Sequence, residues 1–521
     1  MPVPANIYEN DIDFTTLALQ YPQFAKRLKP NGQLDFSDPE SVRLNYVLFI
    51  QRLLDDTSPD WNQSYDPDRQ VIGLDIGTGS SAIYPLLACQ QRPQWRFLAT
   101  EIDEKNSTYA IKNIATNNLR SRIRVVDTDV TGETLIPIRE IESIGIERID
   151  IIMTNPPFYP SASSLLESAR QKSRPPNSSC TGAPVEMITP GGEVSFVSRL
   201  INESLDPKTN RRVQWFSSML GKLSSVGAIV DKLKAHGCTN FAVAEFIQGQ
   251  KAKTRRWCVA WSWMGYRPGV LVARGVSSAS GVEKRLLPAP SEFDFEVEVE
   301  VNPEDDTQAG SAEAEVEVEV GKKLNQEMAR LDVLWRYIPQ QRVGMVISPH
   351  GDVWSRKARR KKLYQSEQQQ QKTQTQGKRQ EQHGQGQRGR TNRPMVKGDD
   401  DQDEEMHDSD PPACMRANDA SSSEEDNEDQ DQDYEPALVA RISLIPISMA
   451  SSSDPQSPIQ SRSQSSNPST AAESTTKLKL RSKAKVHIRH LRGQDPVLFE
   501  SFCGWLKRRM SATTATGTAV K

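Results

Sequence analysis

Residues 71–81, Val-Ile-Gly-Leu-Asp-Ile-Gly-Thr-Gly-Ser-Ser, constrain the fold of this 521-residue chain more than any other stretch. An apolar, β-rich run enters a Gly-x-Gly turn and passes directly into Ala82-Ile83-Tyr84-Pro85-Leu86-Leu87-Ala88, which has helical character. A strand that turns over glycines into a helix lets the backbone approach a ligand closely and aims N–H groups at it. This turn is shorter than the dinucleotide fingerprint Gly-x-Gly-x-x-Gly, so Asp75, Gly77 and Gly79 need support from elsewhere in the chain.

That support follows in order. Arg96 to Thr100 reads as a second strand with Glu101 at its C-terminal end, where nucleotide-binding α/β folds place the acid that accepts ribose hydroxyls. A helix from Glu104, a third strand at Ile123 to Val126 and a fourth at Ile149 to Met153 lead to Asn155-Pro156-Pro157-Phe158. Two prolines stop a strand and stiffen the turn after it. The Asn155 carboxamide oxygen and the Pro156 carbonyl can accept the two N–H groups of an exocyclic amine. Phe158 can stack on the base that carries it, a contact worth roughly 1–3 kcal/mol. Taken alone the tetrapeptide is equally well a plain loop. Its place after strand four makes it a candidate methyl-acceptor site.

A core helix over Glu193 to Leu205 and a fifth strand from Val213 come next, and Gly221-Lys222 opens a helix. Strands at Phe241 to Phe246 and Trp257 to Trp261 then flank the basic turn that carries Lys253, Arg255 and Arg256. Seven strands, the last two a hairpin, predict an α/β fold over residues 71–268, a class I (Rossmann-like) seven-stranded methyltransferase domain. S-adenosyl-L-methionine would lie over Asp75 to Gly79 with its ribose on Glu101. The Ser/Pro/Gly-rich and basic stretch 159–192, with Lys172 and Arg174, follows the candidate catalytic turn and reads as a substrate-covering loop.

Outside this region the chain divides by composition. Residues 1–70 read as a helical, RNA-binding extension whose helix opens at Asp38-Pro39-Glu40, with Arg43 in its first turn available to an anion. Residues 269–327 contain two Glu-Val alternations, and glutamate facing glutamate would oppose strand pairing, so an extended acidic linker is expected. Residues 328–364, 437–447 and 477–510 can assemble a small split α+β domain. Lys477, Lys479, Arg481, Lys483, Lys485, Arg489, Arg492, Lys507, Arg508 and Arg509 would give it a cationic surface for phosphates. The Gln-, acid- and Ser-biased tracts 365–436 and 448–476 are expected to be disordered. Six cysteines without a Cys-x-x-Cys pair point to a reduced, intracellular protein with no metal site. The absence of any run of eighteen apolar residues gives no indication of membrane insertion.

The motifs Arg43-Leu44-Asn45-Tyr46, Asp75-Ile76-Gly77-Thr78-Gly79, Ala99-Thr100-Glu101-Ile102-Asp103, Asn155-Pro156-Pro157-Phe158, Met219-Leu220-Gly221-Lys222 and Arg256-Trp257 stand in this order over residues 6–264. In them the chain resembles the methyltransferase-like 16 family of adenine-N6 RNA methyltransferases, whose members act on U6 small nuclear RNA. The resemblance implies an S-adenosylmethionine-dependent enzyme with an RNA partner and a nuclear location. It further implies Arg43 on the methionine carboxylate, Gly77 and Ser81 along the cofactor, Thr134 near its adenine, and Lys222 and Arg256 toward RNA. Glu9, Asp11 and Asp13 depart from the family's basic N-terminal arm, and Glu133 stands where a lysine can occur. Other readings remain open: a different RNA, a protein glutamine as methyl acceptor, or a non-catalytic RNA-binding scaffold.

Overall fold

The computed structural model describes residues 39–61, 64–126, 128, 134–164, 167, 188–247, 255–301, 309–361, 363–364, 435–446 and 480–511. Lys172, Arg174 and Lys253, with both low-complexity tracts, lie outside these residues except at Glu435 and Pro436.

Helix α1 (Pro39–Asp56) precedes β1 (Val71–Ile76). Then come α2 (Ile83–Gln91), β2 (Trp95–Thr100), α3 (Glu104–Thr116), β3 (Ile123–Val125), α4 (Ile138–Ser143) and β4 (Ile149–Thr154). They are followed by α5 (Gly192–Ser204), β5 (Val213–Leu220), α6 (Leu223–Ala235), β6 (Phe241–Ile247), β7 (Arg255–Trp261) and the short β8 (Arg274–Gly275). These strands form one sheet in the order β3-β2-β1-β4-β5-β7-β6-β8. β1 lies between β2 and β4, so the chain leaves it first toward one edge of the sheet and then, between β1 and β4, toward the other. Such a switch point opens a crevice at the strands' C-terminal ends. The first five strands are mutually parallel and β7 runs antiparallel to β5 and β6. This is the class I methyltransferase arrangement.

Both faces of the sheet are covered, which is why its strands read as near-continuous apolar runs. On β6 and β7 the side chains alternate between two cores. Ala242, Ala244, Cys258 and Ala260 enter one; Phe241, Val243, Trp257, Val259 and Trp261 enter the other. Helices α1, α2 and α3 close the first core, and α4, α5 and α6 the second. Tyr46, Val47, Ile50, Leu53 and Leu54 of α1 pack with Val71, Ala88, Ile151 and Trp215. Residues 39–56 therefore belong to the fold of the first sheet, and the expected boundary at residue 71 does not hold for them.

A second, five-stranded antiparallel sheet follows, built from β9 (Glu292–Val301), β10 (Leu334–Ile338), β11 (Val343–Ser348), β12 (Leu438–Pro446) and β13 (Leu480–Arg492) in the order β10-β11-β12-β13-β9. Helices α7 (Ala309–Met328) and α8 (Pro496–Ser511) pack against it. The three late islands of the sequence meet here, joined by a segment read as linker. That reading is corrected: β9 pairs with the basic strand β13, so Asp294 faces His487, Glu296 faces Lys485 and Glu298 faces Lys483. Lys485 Nζ lies 2.8 Å from Asp294, His487 Nδ1 2.6 Å from the same carboxylate, and Lys483 Nζ 3.3 Å from Glu296. The like-charge objection fails because the partner strand is cationic.

The second Glu-Val run corrects the reading further. Residues 296–301 and 315–320 share the hexapeptide Glu-Val-Glu-Val-Glu-Val, yet the first is in β9 and the second in α7. Flanking residues decide. Phe293, Phe295 and Val297 extend a period of two, whereas Val320, Leu324 and Met328, all buried, recur every four residues.

The second sheet is fastened to the methyltransferase fold through polar contacts. Arg267 donates to the backbone oxygens of Gly493 (2.8 Å), Gln494 (2.5 Å) and Thr239 (2.8 Å). Arg489, buried, donates to Asp56 Oδ2 (3.1 Å) and Ser291 Oγ (2.9 Å). The described residues between Trp354 and Tyr364 belong to a second compact unit and are helical from Arg356. Residues 354–364 were expected within the split α+β domain; they belong to this second unit instead.

Candidate active site

The site lies at the C-terminal ends of β1, β2, β4 and β5. After β1 the chain turns through Gly77 and Gly79, at φ +71° and +66°. Those backbone angles are open to glycine and costly for other residues. Three N–H groups hold the turn to β2: Thr78 N–H donates to Thr100 O (2.9 Å), Gly77 N–H to Thr100 Oγ1 (3.3 Å) and Gly79 N–H to Glu101 Oε2 (2.9 Å). Asp103 N–H takes the other Glu101 oxygen (3.0 Å). The Glu101 carboxylate is thereby fixed beside the glycine turn. A Cβ built on Gly77 would meet nothing within 4 Å, so open space borders the turn. Ser81 follows, half-buried.

Asp75, the residue before last on β1, is wholly buried, and neither carboxylate oxygen has a hydrogen bond of normal geometry. Burial pushes its pKa up to about 7, with the Thr78 hydroxyl opposing the rise and the Glu101 charge adding to it. A buried polar group without a partner costs about 1–3 kcal/mol and calls for a missing one. Nearby, the Tyr84 hydroxyl has its pKa raised by burial, lowered by the Arg43 charge and raised by Asp75. Arg43, from the first turns of α1, and Asp75, from β1, thus act on the same group.

The turn after β4 is positioned from three sides. Thr154 Oγ1 donates to Ile76 O (3.0 Å), tying β4 to β1. The Tyr46 hydroxyl on α1 lies 2.8 Å from Ser217 Oγ of β5 and accepts the Thr154 N–H at 3.4 Å. Asn155 Oδ1 is buried without a partner. Pro156 is buried, while Pro157 and Phe158 are half-exposed. The Arg256 guanidinium sits 5.7 Å from the Phe158 ring centroid. The structure therefore brings Asp75, Gly77, Gly79, Glu101, Asn155, Pro156, Pro157, Phe158, Arg43 and Arg256 to one end of the sheet.

Other predicted residues fall differently. Lys222 is exposed at the start of α6, next to Gly221 at the end of β5. Thr134 is exposed, and the following Leu135 and Ile136 N–H groups are held by the Glu203 carboxylate at 3.0 and 2.9 Å. Arg255 is engaged internally, donating to Glu245 Oε1 (2.6 Å) and Ala279 O (2.8 Å). The period of two sends it to the opposite face of β7 from Arg256. On the second sheet and its helix α8, Lys483, Lys485, Arg489, Arg492 and Arg509 all stand in ion pairs, so these five of the expected cations are neutralised by the chain's own acids, while Lys477 and Lys479 lie outside the described residues. Lys507 and Arg508 are exposed. Among the described residues no group of histidine, cysteine or acidic side chains could hold a metal, and no helix is long and apolar enough to cross a membrane.

Two residues of the site were given no role from the sequence. Tyr46 stands three positions after Arg43, on one face of α1, and that spacing was a usable signal. Glu193, 3 % exposed, accepts N–H groups from Gly221 (2.7 Å) and Lys222 (3.2 Å). Nothing in its own neighbourhood of sequence points to partners so far along the chain.

Residues 41–265 match a family model described as RNA methyltransferase. The chain is 38 % identical over 226 residues to the U6 small nuclear RNA (adenine-(43)-N(6))-methyltransferase of Schizosaccharomyces pombe, covering 43 % of this chain and 54 % of that protein. It is 31 % identical over 297 residues to the Drosophila melanogaster protein of the same name, covering 50 % of this chain and 92 % of that protein. A solved structure of the N-terminal domain of human METTL16 in complex with SAH is 30 % identical, with 50 % of this chain and 98 % of that chain covered and a TM-score of 0.34. The chain spans about half the length of the fission-yeast relative. On its sequence match to these relatives, the chain belongs to the methyltransferase-like 16 family of RNA methyltransferases.

Proposed function

We propose that this protein is an S-adenosylmethionine-dependent methyltransferase acting on N6 of an adenosine in structured RNA. U6 small nuclear RNA, named for its relatives, is the first substrate to test, and we propose a nuclear location to go with it. The observation that carries the reading is a pair of buried oxygen acceptors without partners, Asp75 and Asn155 Oδ1, at the ends of the adjacent strands β1 and β4. They fit the cationic and hydrogen-bonding groups of a cofactor and the amine of a base.

When bound, S-adenosylmethionine supplies an electrophilic methyl group. Arg43 would take its carboxylate, and Glu101, oriented by the Gly79 and Asp103 N–H groups, its ribose hydroxyls. Asn155 Oδ1 and the Pro156 carbonyl would accept the two N–H groups of the exocyclic amine and so aim its nitrogen into the crevice. Phe158 would hold the extruded base by stacking, offsetting the few kcal/mol that unstacking costs. Arg256 and Lys222 would meet phosphates beside it. No side chain must remove a proton beforehand, because the amine sheds it after alkylation. Positioning and exclusion of water carry the rate.

The test is methyl transfer from labelled cofactor to U6 RNA and, in parallel, to a release factor bearing a glutamine acceptor. Label appearing as N6-methyladenosine is expected; label only in the protein refutes the reading. Asn155→Ala should lower transfer about 100-fold or more while RNA affinity stays within a few-fold. Equal loss of both would make the turn structural.

A further inference from the structure

We infer that Glu193 is a positioning residue that fixes the stacking surface of Phe158 by clamping the end of β5 beneath it. The inference rests on Phe158 serving the acceptor base, as proposed above.

The stretch Gly191-Gly192-Glu193 opens α5 where the chain returns from the segment that follows Phe158. Tyr159 and Ile188 meet in an isolated β-bridge, and Thr189 N–H donates to Tyr159 O (2.9 Å). Gly191 and Gly192 have φ of +77° and +67°, which glycine tolerates and other residues do not readily adopt. A Cβ on Gly192 would lie 3.4 Å from the Phe158 carbonyl oxygen, and one on Gly191 only 2.6 Å from Ser195 Cβ. The two glycines thus let α5 begin directly against the catalytic turn.

From that helix start the Glu193 side chain reaches β5. Its Oε2 accepts Gly221 N–H at 2.7 Å and its Oε1 accepts Lys222 N–H at 3.2 Å, and the residue is 3 % exposed. An anion in the first turn of a helix is also favoured by the helix dipole. Gly221 in turn abuts the Phe158 ring: a Cβ there would be 3.0 Å from Phe158 Cδ1, 3.3 Å from Cε1 and 3.2 Å from Glu193 Oε2. With Arg256 5.7 Å from the ring centroid, the ring has a fixed seat. One carboxylate therefore links the turn after β4, the start of α5 and the turn after β5. Loss of that link frees Gly221-Lys222 to move, and the ring with it. Displacements of about 1 Å cost on the order of 100-fold in rate.

The test uses the full chain with 4-fluorophenylalanine at position 158 and the variants Glu193→Gln, Glu193→Ala and Gly221→Ala. Fluorine NMR reads the ring without RNA or cofactor; a single resonance is expected in the parent, shifted and broadened in Glu193→Ala and Gly221→Ala, and intermediate in Glu193→Gln. On the chain without fluorine, kcat for RNA methylation should fall about 10- to 100-fold in Glu193→Ala, with partial rescue in Glu193→Gln. Affinity for S-adenosylhomocysteine should stay within about two-fold, as expected when only transition-state interactions are lost. An unchanged resonance, or a kcat loss that merely tracks lost cofactor affinity and melting temperature, overturns the inference. Should Glu193→Ala fail to fold, Glu193→Gln and Gly221→Ala decide by the same criteria. A parent chain that transfers no methyl group to RNA refutes the functional reading instead, and the fluorine signal still judges the clamp.

Discussion

Replacing Asp75 with asparagine isolates the electrostatic cost at the heart of the site. In the folded chain burial holds the Asp75 pKa at about 7 instead of 3.8. Between about pH 4 and pH 7 the folded protein therefore keeps a proton that the unfolded chain has lost. The associated stability is complete below the unfolded pKa, declines by about 1.4 kcal/mol per pH unit through the window, and is gone above the folded pKa. Across the window this amounts to roughly 4 kcal/mol, a large part of the roughly 5–15 kcal/mol that holds a domain folded. Asparagine does not titrate. The stability of Asp75→Asn minus that of the parent should accordingly grow by about 1.4 kcal/mol per unit from pH 5 to pH 7 and level off by pH 8. Denaturant unfolding of both proteins at unit pH intervals measures it. S-adenosylhomocysteine, whose amine is cationic, should favour the ionised acid, flatten the parent's pH dependence and release about half a proton on binding at pH 7. Calorimetry in two buffers of different ionisation enthalpy reads that proton. A stability difference independent of pH would refute the reasoning, since Asp75 would then be ionised throughout and already satisfied within the chain.

Two further expectations concern the second sheet. Replacing Lys483 and Lys485 together with glutamine should leave the salt dependence of RNA binding unchanged, because Asp294, Glu296 and Glu298 already neutralise them; a slope reduced by about two would show that they contact phosphates after all. Arg267→Ala should lower stability by roughly 2–3 kcal/mol, since it removes a buried guanidinium that donates to the Thr239, Gly493 and Gln494 carbonyls, of which Gly493 is itself buried. A melting temperature equal to the parent's would mean that the two sheets are held together elsewhere.

Legibility in the sequence followed the range of the interactions involved. The glycine turn at 77–79, the acid at 101 and the proline turn at 155–158 are encoded by residues adjacent in sequence, and the crevice forms where they were expected to meet. The Glu-Val hexapeptide was opaque for the opposite reason. It carries no preference strong enough to resist its surroundings, so the same six residues became strand beside lysines and helix beside Leu324 and Met328. Arg255 looked like its neighbour Arg256 until the pairing with Glu245 appeared. Glu193 read as an ordinary acid at a helix start, and only the fold brings Gly221 to it.

The seating of α1 has a consequence for what can count as a minimal enzyme. Tyr46, Ile50, Leu53 and Leu54 are each fully buried in the core beneath β1, β4 and β5. At roughly 1.5–3 kcal/mol for each apolar side chain removed from water, their combined contribution approaches the entire folding free energy of an ordinary domain. A fragment beginning at Val71 would also expose Ser217 and the Thr154 N–H from below, directly under Asn155. The helix ahead of the first strand is therefore the floor on which the acceptor turn stands, and an autonomous catalytic unit has to include it.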